Sequence, residues 1–303
     1  MKGNLFLGMG RGSVGDVTFS RMGGQQVGRA RNRKPNNPRT QKQMSQRAIF
    51  MSAVKFYSRG VQRFFKFAFE GKRAAESDYN AFMRINAKRG IYFRKADFEN
   101  PLCPAIGKFT VTQGSLVSPN YTCEAGSNAV TVVSTFTTQS AAPTTVGGLS
   151  AVLKSQYGLL EGDIVTFLVL TSGATLNQTG DYVERGLILD DGAPVVWHLQ
   201  QFVIDSNSTV ALSTLSVTAT TSSFTFSAPG TATNAGGAAI VFSRNSASGL
   251  RVSTSEIALN SAAEDIYDEG RIDSADPEWK ETVMQSWMAA DTAILEGGLA
   301  SNG

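Results

Sequence analysis

The chain is poor in the residues from which most catalytic sites are built. A single histidine, His198, stands in 303 residues, which excludes multi-histidine metal centres and leaves one imidazole for any Ser-His-Asp or Cys-His arrangement. It follows Trp197 in a strand-like run, where a structural role is the expectation. The two cysteines, Cys103 and Cys123, are too few for a disulfide framework; they read either as two idle thiols or as one bridge between neighbouring strands. No apolar run approaches the roughly 18–20 residues that cross a bilayer, and the run at residues 5–9 is shorter than the about 7–15 residues of a secretory core. No membrane association and no cleaved secretion signal are therefore expected. A GxxxxGK phosphate loop, HExxH and GxSxG are all missing. Gly10-Arg11-Gly12-Ser13-Val14-Gly15 matches GxGxxG, but a strand-like segment follows it, so a pyrophosphate would find no helix N-terminus. Glu161, Asp163, Glu184, Asp190 and Asp191 lie in or beside turns and read as solvated. No catalytic residue, no cofactor and no metal are expected.

What the chain does have is charge divided by position. Residues 1–99 carry 21 Lys/Arg against 6 Asp/Glu, and residues 100–303 carry 7 against 19, so the formal net charge of +3 conceals a cationic head and an anionic body. Such asymmetry points to a polyanionic or acidic partner, because like charge gathered in one region repels itself. With 42% apolar residues the chain can still bury a sizeable core.

Composition divides the sequence into three regions: a basic ribbon and helical region at 1–99, a β-sandwich domain at 100–255, and an acidic tail at 256–303. In the first, strand-like segments 14–21 and 25–31 flank Met22-Gly23-Gly24, a hairpin turn in which glycine supplies the positive φ. After the Pro/Asn break at 34–38, Thr40 or Pro38 opens a helix to about residue 69, kinked at Gly60. At 100° per residue Phe50, Val54, Tyr57, Val61, Phe64 and Phe65 share one face, and Lys55, Arg59, Arg63 and Lys66 the opposite one. Ser77 or Asp78 caps a second helix running to about residue 89. Alternating Thr/Val/Ser/Ala-rich stretches at 129–137, 164–171, 195–204, 210–218, 223–228 and 238–243 predict short antiparallel strands, with a helical turn or two at 150–157. In the tail, Asp276-Pro277-Glu278 starts a helix that places Trp279, Val283, Trp287 and Ile294 on one face. The expected fold class is α+β.

Two surfaces stand out as candidate sites. Arg29, Arg31, Arg33, Lys34, Arg39, Lys42 and Arg47, extended by Lys55, Arg59, Arg63 and Lys66, form a basic run suited to phosphate backbones or to an acidic neighbouring subunit; binding to nucleic acid would be indifferent to sequence and sensitive to salt. The stripe Trp279, Val283, Trp287 and Ile294 is a candidate subunit-docking face. Phe64, Phe65, Phe67 and Phe69 among basic residues resemble a stacking platform for single strands, but read better as core or interface.

The chain resembles a family of uncharacterised proteins from Bacteroidota and their phages or mobile elements. The likeness is carried by Gly12-Ser13-Val14-Gly15 with Arg29 and Arg31, by Asn37-Pro38-Arg39-Thr40 with Gln46, Arg47 and Phe50, and by Val241-Phe242-Ser243-Arg244 followed by Leu250-Arg251-Val252-Ser253-Thr254. It implies the order ribbon, helices, β region, and supplies no activity or site residues. The expectation is a non-enzymatic structural or virion-associated assembly protein, a homo-oligomer or a partner of other particle subunits, in the virion or the host cytoplasm. The alternatives are a free-standing, sequence-nonspecific nucleic-acid-binding protein and a surface adhesion or carbohydrate-binding module.

Overall fold

The computed structural model describes residues 12–22, 25–31, 40–65, 68–90, 107–125, 129–175, 195–229, 234–247, 249–261, 263, 264, 267 and 285. Within them the fold is mixed α and β, mostly antiparallel β. Three short strands come first: β1 (Gly12–Val14), β2 (Val17–Met22) and β3 (Gln25–Ala30), in the order β1-β2-β3. The ribbon thus has three strands where a two-stranded one was expected, because Gly15, at φ +55°, turns the chain between Val14 and Val17.

Helix α1 (Gln41–Phe56) begins at Thr40, whose hydroxyl accepts from the Gln43 N–H at 3.4 Å. It passes through a π-helical turn, Tyr57–Val61, into the single turn α2 (Gln62–Phe64). The expected kink at Gly60 is this π turn. Helix α3 (Asp78–Asn86) is capped by Ser77, which accepts from the Asn80 N–H at 3.2 Å, and stops about three residues before the expected end. Strands β4 (Thr110–Thr112), β5 (Thr122–Ala125) and β6 (Ala129–Thr135) lead to helix α4 (Val146–Tyr157), longer than the expected turn or two and closed by Gly158 in the left-handed region. There follow β7 (Ile164–Thr175), β8 (Val195–Val203), β9 (Val217–Ala219), β10 (Ser223–Pro229), β11 (Asn234–Ser246), β12 (Gly249–Val252), β13 (Ser255–Glu256) and β14 (Ala258–Leu259). The strand expected at 210–218 is corrected: Ala211 makes a single bridge to Thr145, Leu212–Leu215 forms a 3-10 turn, and the strand is Val217–Ala219, paired with β10. Apart from residue 285, the helix expected from Asp276 onward lies outside the described residues.

Two sheets organise the β region. One runs β5-β6-β10-β9; the other runs β12-β11-β7-β8, with β14 on β11. The pair β7–β11 is buried on both faces, and alternation divides its side chains. Val165, Phe167 and Val169 of β7, with Ala238, Ile240 and Phe242 of β11, meet Val130 and Val132 of β6, Phe224 and Phe226 of β10, and Leu149 and Leu153 of α4. Leu168, Leu170, Ala239 and Val241 point the other way, into a cluster with Ala53, Phe56, Val61, Phe82 and Phe109. The helices therefore lie against the sheet and share one apolar cluster with it.

Trp197 on β8 is the anchor of that contact. Its ring packs 5.1 Å from Phe56 and 5.8 Å from Phe64, between centroids. Gly60 lies beneath it, where a Cβ would overlap the indole. Polar latches add to the packing. Asn86, fully buried, donates to the carbonyls of Phe82 and Thr110 and accepts from the Thr110 N–H. Glu70 accepts from the Val252 N–H at 2.5 Å and from the Ser115 N–H at 3.2 Å, tying the end of the helical region to β12.

Gly60→Ala sets a gain in helix propensity of about 1 kcal/mol against overpacking worth about 1–3 kcal/mol. Because Trp197 is held between Phe56 and Phe64, the clash wins: denaturant unfolding followed by tryptophan fluorescence is expected to show a net loss of stability, and an unchanged or raised midpoint would contradict the packing. Burial pushes the Glu70 carboxyl up, but hydrogen bonds from Val252 and Ser115 and the charge of Arg251 outweigh it and hold it below its ordinary value. Glu70 therefore contributes stability that is fully present above the unfolded pKa of about 4.3 and is lost as pH falls through the lower folded value. The drop in unfolding free energy on going from neutral pH to below that window should be smaller for Glu70→Gln than for the parent; equal drops would contradict the latch.

Candidate interaction surface

The ribbon stands apart from both apolar clusters. It contributes no residue to either, and none of its side chains with a described exposure is buried. Its register separates two chemically different faces. On one, Val14 pairs with Val17 and Val17 with Ala30, while Gly12 pairs with Phe19 and Phe19 with Gly28. Phe19 thus lies between two glycines, and its ring comes so near Gly28 that a Cβ there would be 3.3 Å from it. Val14 and Val17 are 44% and 40% exposed. The other face carries Ser13, Thr18, Ser20, Val27 and Arg29, with the Ser13 and Thr18 hydroxyls 3.0 Å apart. Arg31 continues the ladder of β3 by donating its N–H to the Asp16 carbonyl at 2.6 Å, so alternation puts it on the face of Arg29.

Of the basic residues expected to form one surface, Arg29, Arg31, Lys42 and Arg63 are exposed, and no ion pair among the described residues engages them. Asp16 is the only acid in the first 69 residues. Arg47 is half-buried. Lys55 is 7% exposed, so a single copy does not offer it to a partner. Arg59 lies in the π turn, and its side chain is outside the described residues. Arg33, Lys34, Arg39 and Lys66, and all four of Trp279, Val283, Trp287 and Ile294, also lie outside the described residues.

Part of the opposite charge is matched within the chain. Arg89 of the basic third pairs with Glu256, and Lys108, just beyond that third, pairs with Glu264, both at the start of the acidic stretch. Tyr121 fixes the same place: its hydroxyl donates to the Glu256 carbonyl at 2.6 Å and accepts from the Glu256 N–H at 3.0 Å. Lys108, Tyr121, Glu256 and Glu264 border an open cleft of about 630 Å³ between β5 and β14, with Cys123, Ile257 and Leu259 on its apolar wall. Cys123 is a free thiol, and Cys103 lies outside the described residues; burial, assisted by Glu124, pushes Cys123 up to about 12, which leaves it unreactive near neutral pH.

The acidic residues near turns divide. Asp163, expected to be solvated, is 2% exposed and takes a two-pronged pair from Arg244 at 2.6 and 2.8 Å. Glu161 is exposed, and hydrogen bonds from Lys154 and Ser206 lower its carboxyl to about 2. Glu184, Asp190 and Asp191 lie outside the described residues. His198 reaches the Thr171 hydroxyl at 2.9 Å, and burial lowers its pKa. Among the described residues no group of three His, Cys, Asp or Glu side chains could hold a metal ion, and no helix is long and apolar enough to cross a membrane.

The surface feature not expected from the sequence is the apolar face of the ribbon. Its signal was present as the alternation Val17-x-Phe19, with Gly12 and Gly28 as its cross-strand neighbours. The profile of a family of unknown function, DUF6266, matches residues 9–163, just over half of the chain, and the protein belongs to that family. Neither a curated protein nor a solved structure matches it.

Proposed function

We propose that the protein is a non-enzymatic assembly component, of the kind found in phage-like particles, whose basic N-terminal region contacts nucleic acid or an acidic neighbouring subunit. The observation that carries this reading is the exposed ribbon, which lends nothing to the core yet holds Arg29 and Arg31 on one face without carboxylate partners among the described residues. In this reading the body is an antiparallel β-sandwich, the tail contributes an acidic helix, and the family's home is Bacteroidota and their mobile elements. A second reading, a free-standing nucleic-acid-binding protein, draws on the same arginines. Phosphate backbones attract such a face by releasing counterions, with no contact to base edges.

Light scattering of the full chain, alone and with mixed-sequence DNA, at about 0.1 M and about 1 M salt separates the readings. The assembly reading expects large species without DNA at the lower salt that shrink at the higher. A complex formed only when DNA is added favours the second reading, and no large species in any of the four conditions would contradict both. Arg29→Glu combined with Arg31→Glu is expected to weaken DNA binding and to make its log–log dependence on salt shallower by roughly two units, one for each lost phosphate contact.

A further inference from the structure

We infer that the open edge of β8 is the seat of the β8 of a second copy, the two strands pairing antiparallel about a two-fold axis at Gln200. The inference rests on the assembly reading above and refines it by naming one surface that joins two copies.

The two edges of the sheet β12-β11-β7-β8 differ. At β12 the edge is occupied: Val252 donates its N–H to the Glu70 carboxylate, and its carbonyl accepts from the Leu116 N–H at 3.0 Å. At β8 the edge is open. Its nine residues, Val195–Val203, pair with β7 without a break in register, and Ile204 continues the ladder by donating its N–H to the Asp163 carbonyl at 2.7 Å. In an antiparallel ladder alternate residues turn their N–H and C=O toward the neighbour, so those of Trp197, Leu199, Gln201 and Val203 face away from β7. Among the described residues no hydrogen bond reaches them. A strand so placed is a template for another strand, and proteins blunt such edges with charge, proline or a bulge. β8 carries no acid, lysine, arginine or proline, and its register has no bulge.

The two ends of this edge select the occupant. At one end the Phe64 ring, 45% exposed, lies on Trp197; Arg63, next to it in α2, is exposed and engaged by no ion pair among the described residues. At the other end Val203 is 51% exposed, on the face that alternation gives to Trp197 and Leu199. Two residues on, the exposed Asp205 accepts from the Asn207 N–H and meets no cation among the described residues. An antiparallel copy reverses this order, so the aromatic, cationic end of each chain meets the aliphatic, anionic end of the other. A peptide of one charge would answer only one of the two ends. Centring the axis on Gln200 sets Leu199 against Gln201 of the copy and Trp197 against Val203 of the copy. Each outward residue then exchanges both backbone hydrogen bonds with its opposite number, and because β8 is uncharged no like charges face each other across the axis. The contact closes on itself as a two-fold pair and leaves the arginines of the ribbon free for a polyanion.

The full chain at about 1 M salt, where exposed charge contacts are suppressed, should sediment as a dimer. Gln201→Pro removes an N–H that β7 does not use and should return it to a monomer with unchanged far-ultraviolet circular dichroism. A geometry test accompanies it. In a Cys103→Ser background, Gln200→Cys should form an interchain disulfide under mild oxidation, because the pair at the axis has Cα atoms about 4.5 Å apart; Gln201→Cys, whose twin lies on a diagonal of about 7–8 Å, should not. Adding Arg63→Glu to Gln200→Cys should slow the linking several-fold at about 0.1 M salt and leave it unchanged at about 1 M. A monomer at about 1 M salt, a dimer that Gln201→Pro leaves intact, equal linking at positions 200 and 201, or linking at low salt indifferent to Arg63→Glu would overturn the inference. A monomer at about 1 M that enlarges at about 0.1 M overturns only the strand pairing, whereas a salt-resistant dimer that never enlarges removes the particle reading and keeps the pairing.

Discussion

Burial of one pair of strands on both sides is the constraint from which the rest of this structure follows. β7 and β11 pair from Ile164/Ser243 to Leu170/Gly237 without a break in register, and their alternate residues enter two different apolar clusters. A slip of one residue would send Phe167 and Ile240 to the helical side and Leu168 and Ala239 to the side of the second sheet. Register, helix docking and the approach of the β5-β6-β10-β9 sheet are thus fixed together. The small Ala238 and Ala239 at the centre of β11 let both layers come close.

Around this pair, long-range polar contacts hold segments that apolar packing alone would leave free to slide. Asn86 joins α3 to β4, Glu70 joins the helical region to β12, and Asp163 with Arg244 joins the start of β7 to the end of β11. Each places a buried or half-buried polar group where only one arrangement satisfies it, and misplacing the segment would leave that group unpaired at a cost of about 1–3 kcal/mol. The Tyr121–Glu256 exchange does the same for the start of the acidic stretch.

The strands of the β region were legible because period-two alternation of Val, Phe, Ile and Ala survives burial, as at 164–171 and 238–243. Helix starts were legible at Thr40 and Ser77 through their capping hydroxyls. The buried face of α1 was not. A uniform 100° projection places Phe50 and Phe64 with Val61, yet Phe50 and Phe64 are 44% and 45% exposed, and Ile49, Ala53 and Phe56 face inward. The cause is the π turn at Tyr57–Val61, whose wider winding shifts the phase between the two ends of the helix. Nothing local announces that turn, and the side chain packed over it, Trp197, lies far along the chain. Asp163 was misread for a similar cause: its partner Arg244 is 81 residues away. In the candidate surface the cations were read from composition, while the division of the ribbon into an apolar and an arginine face depends on the tight turn at Gly15.

The account's central claim is that the β7–β11 pair couples helices and sheets into one cooperative body, with the ribbon outside it. Hydrogen exchange measured by mass spectrometry on the full chain tests this most directly. The account predicts that peptides covering 164–171, 236–243, α1 and α3 exchange only by a shared global opening, while the ribbon at 12–31 exchanges by a separate, less costly one. Helices that open independently of β7 and β11, or a ribbon that opens only with them, would contradict it.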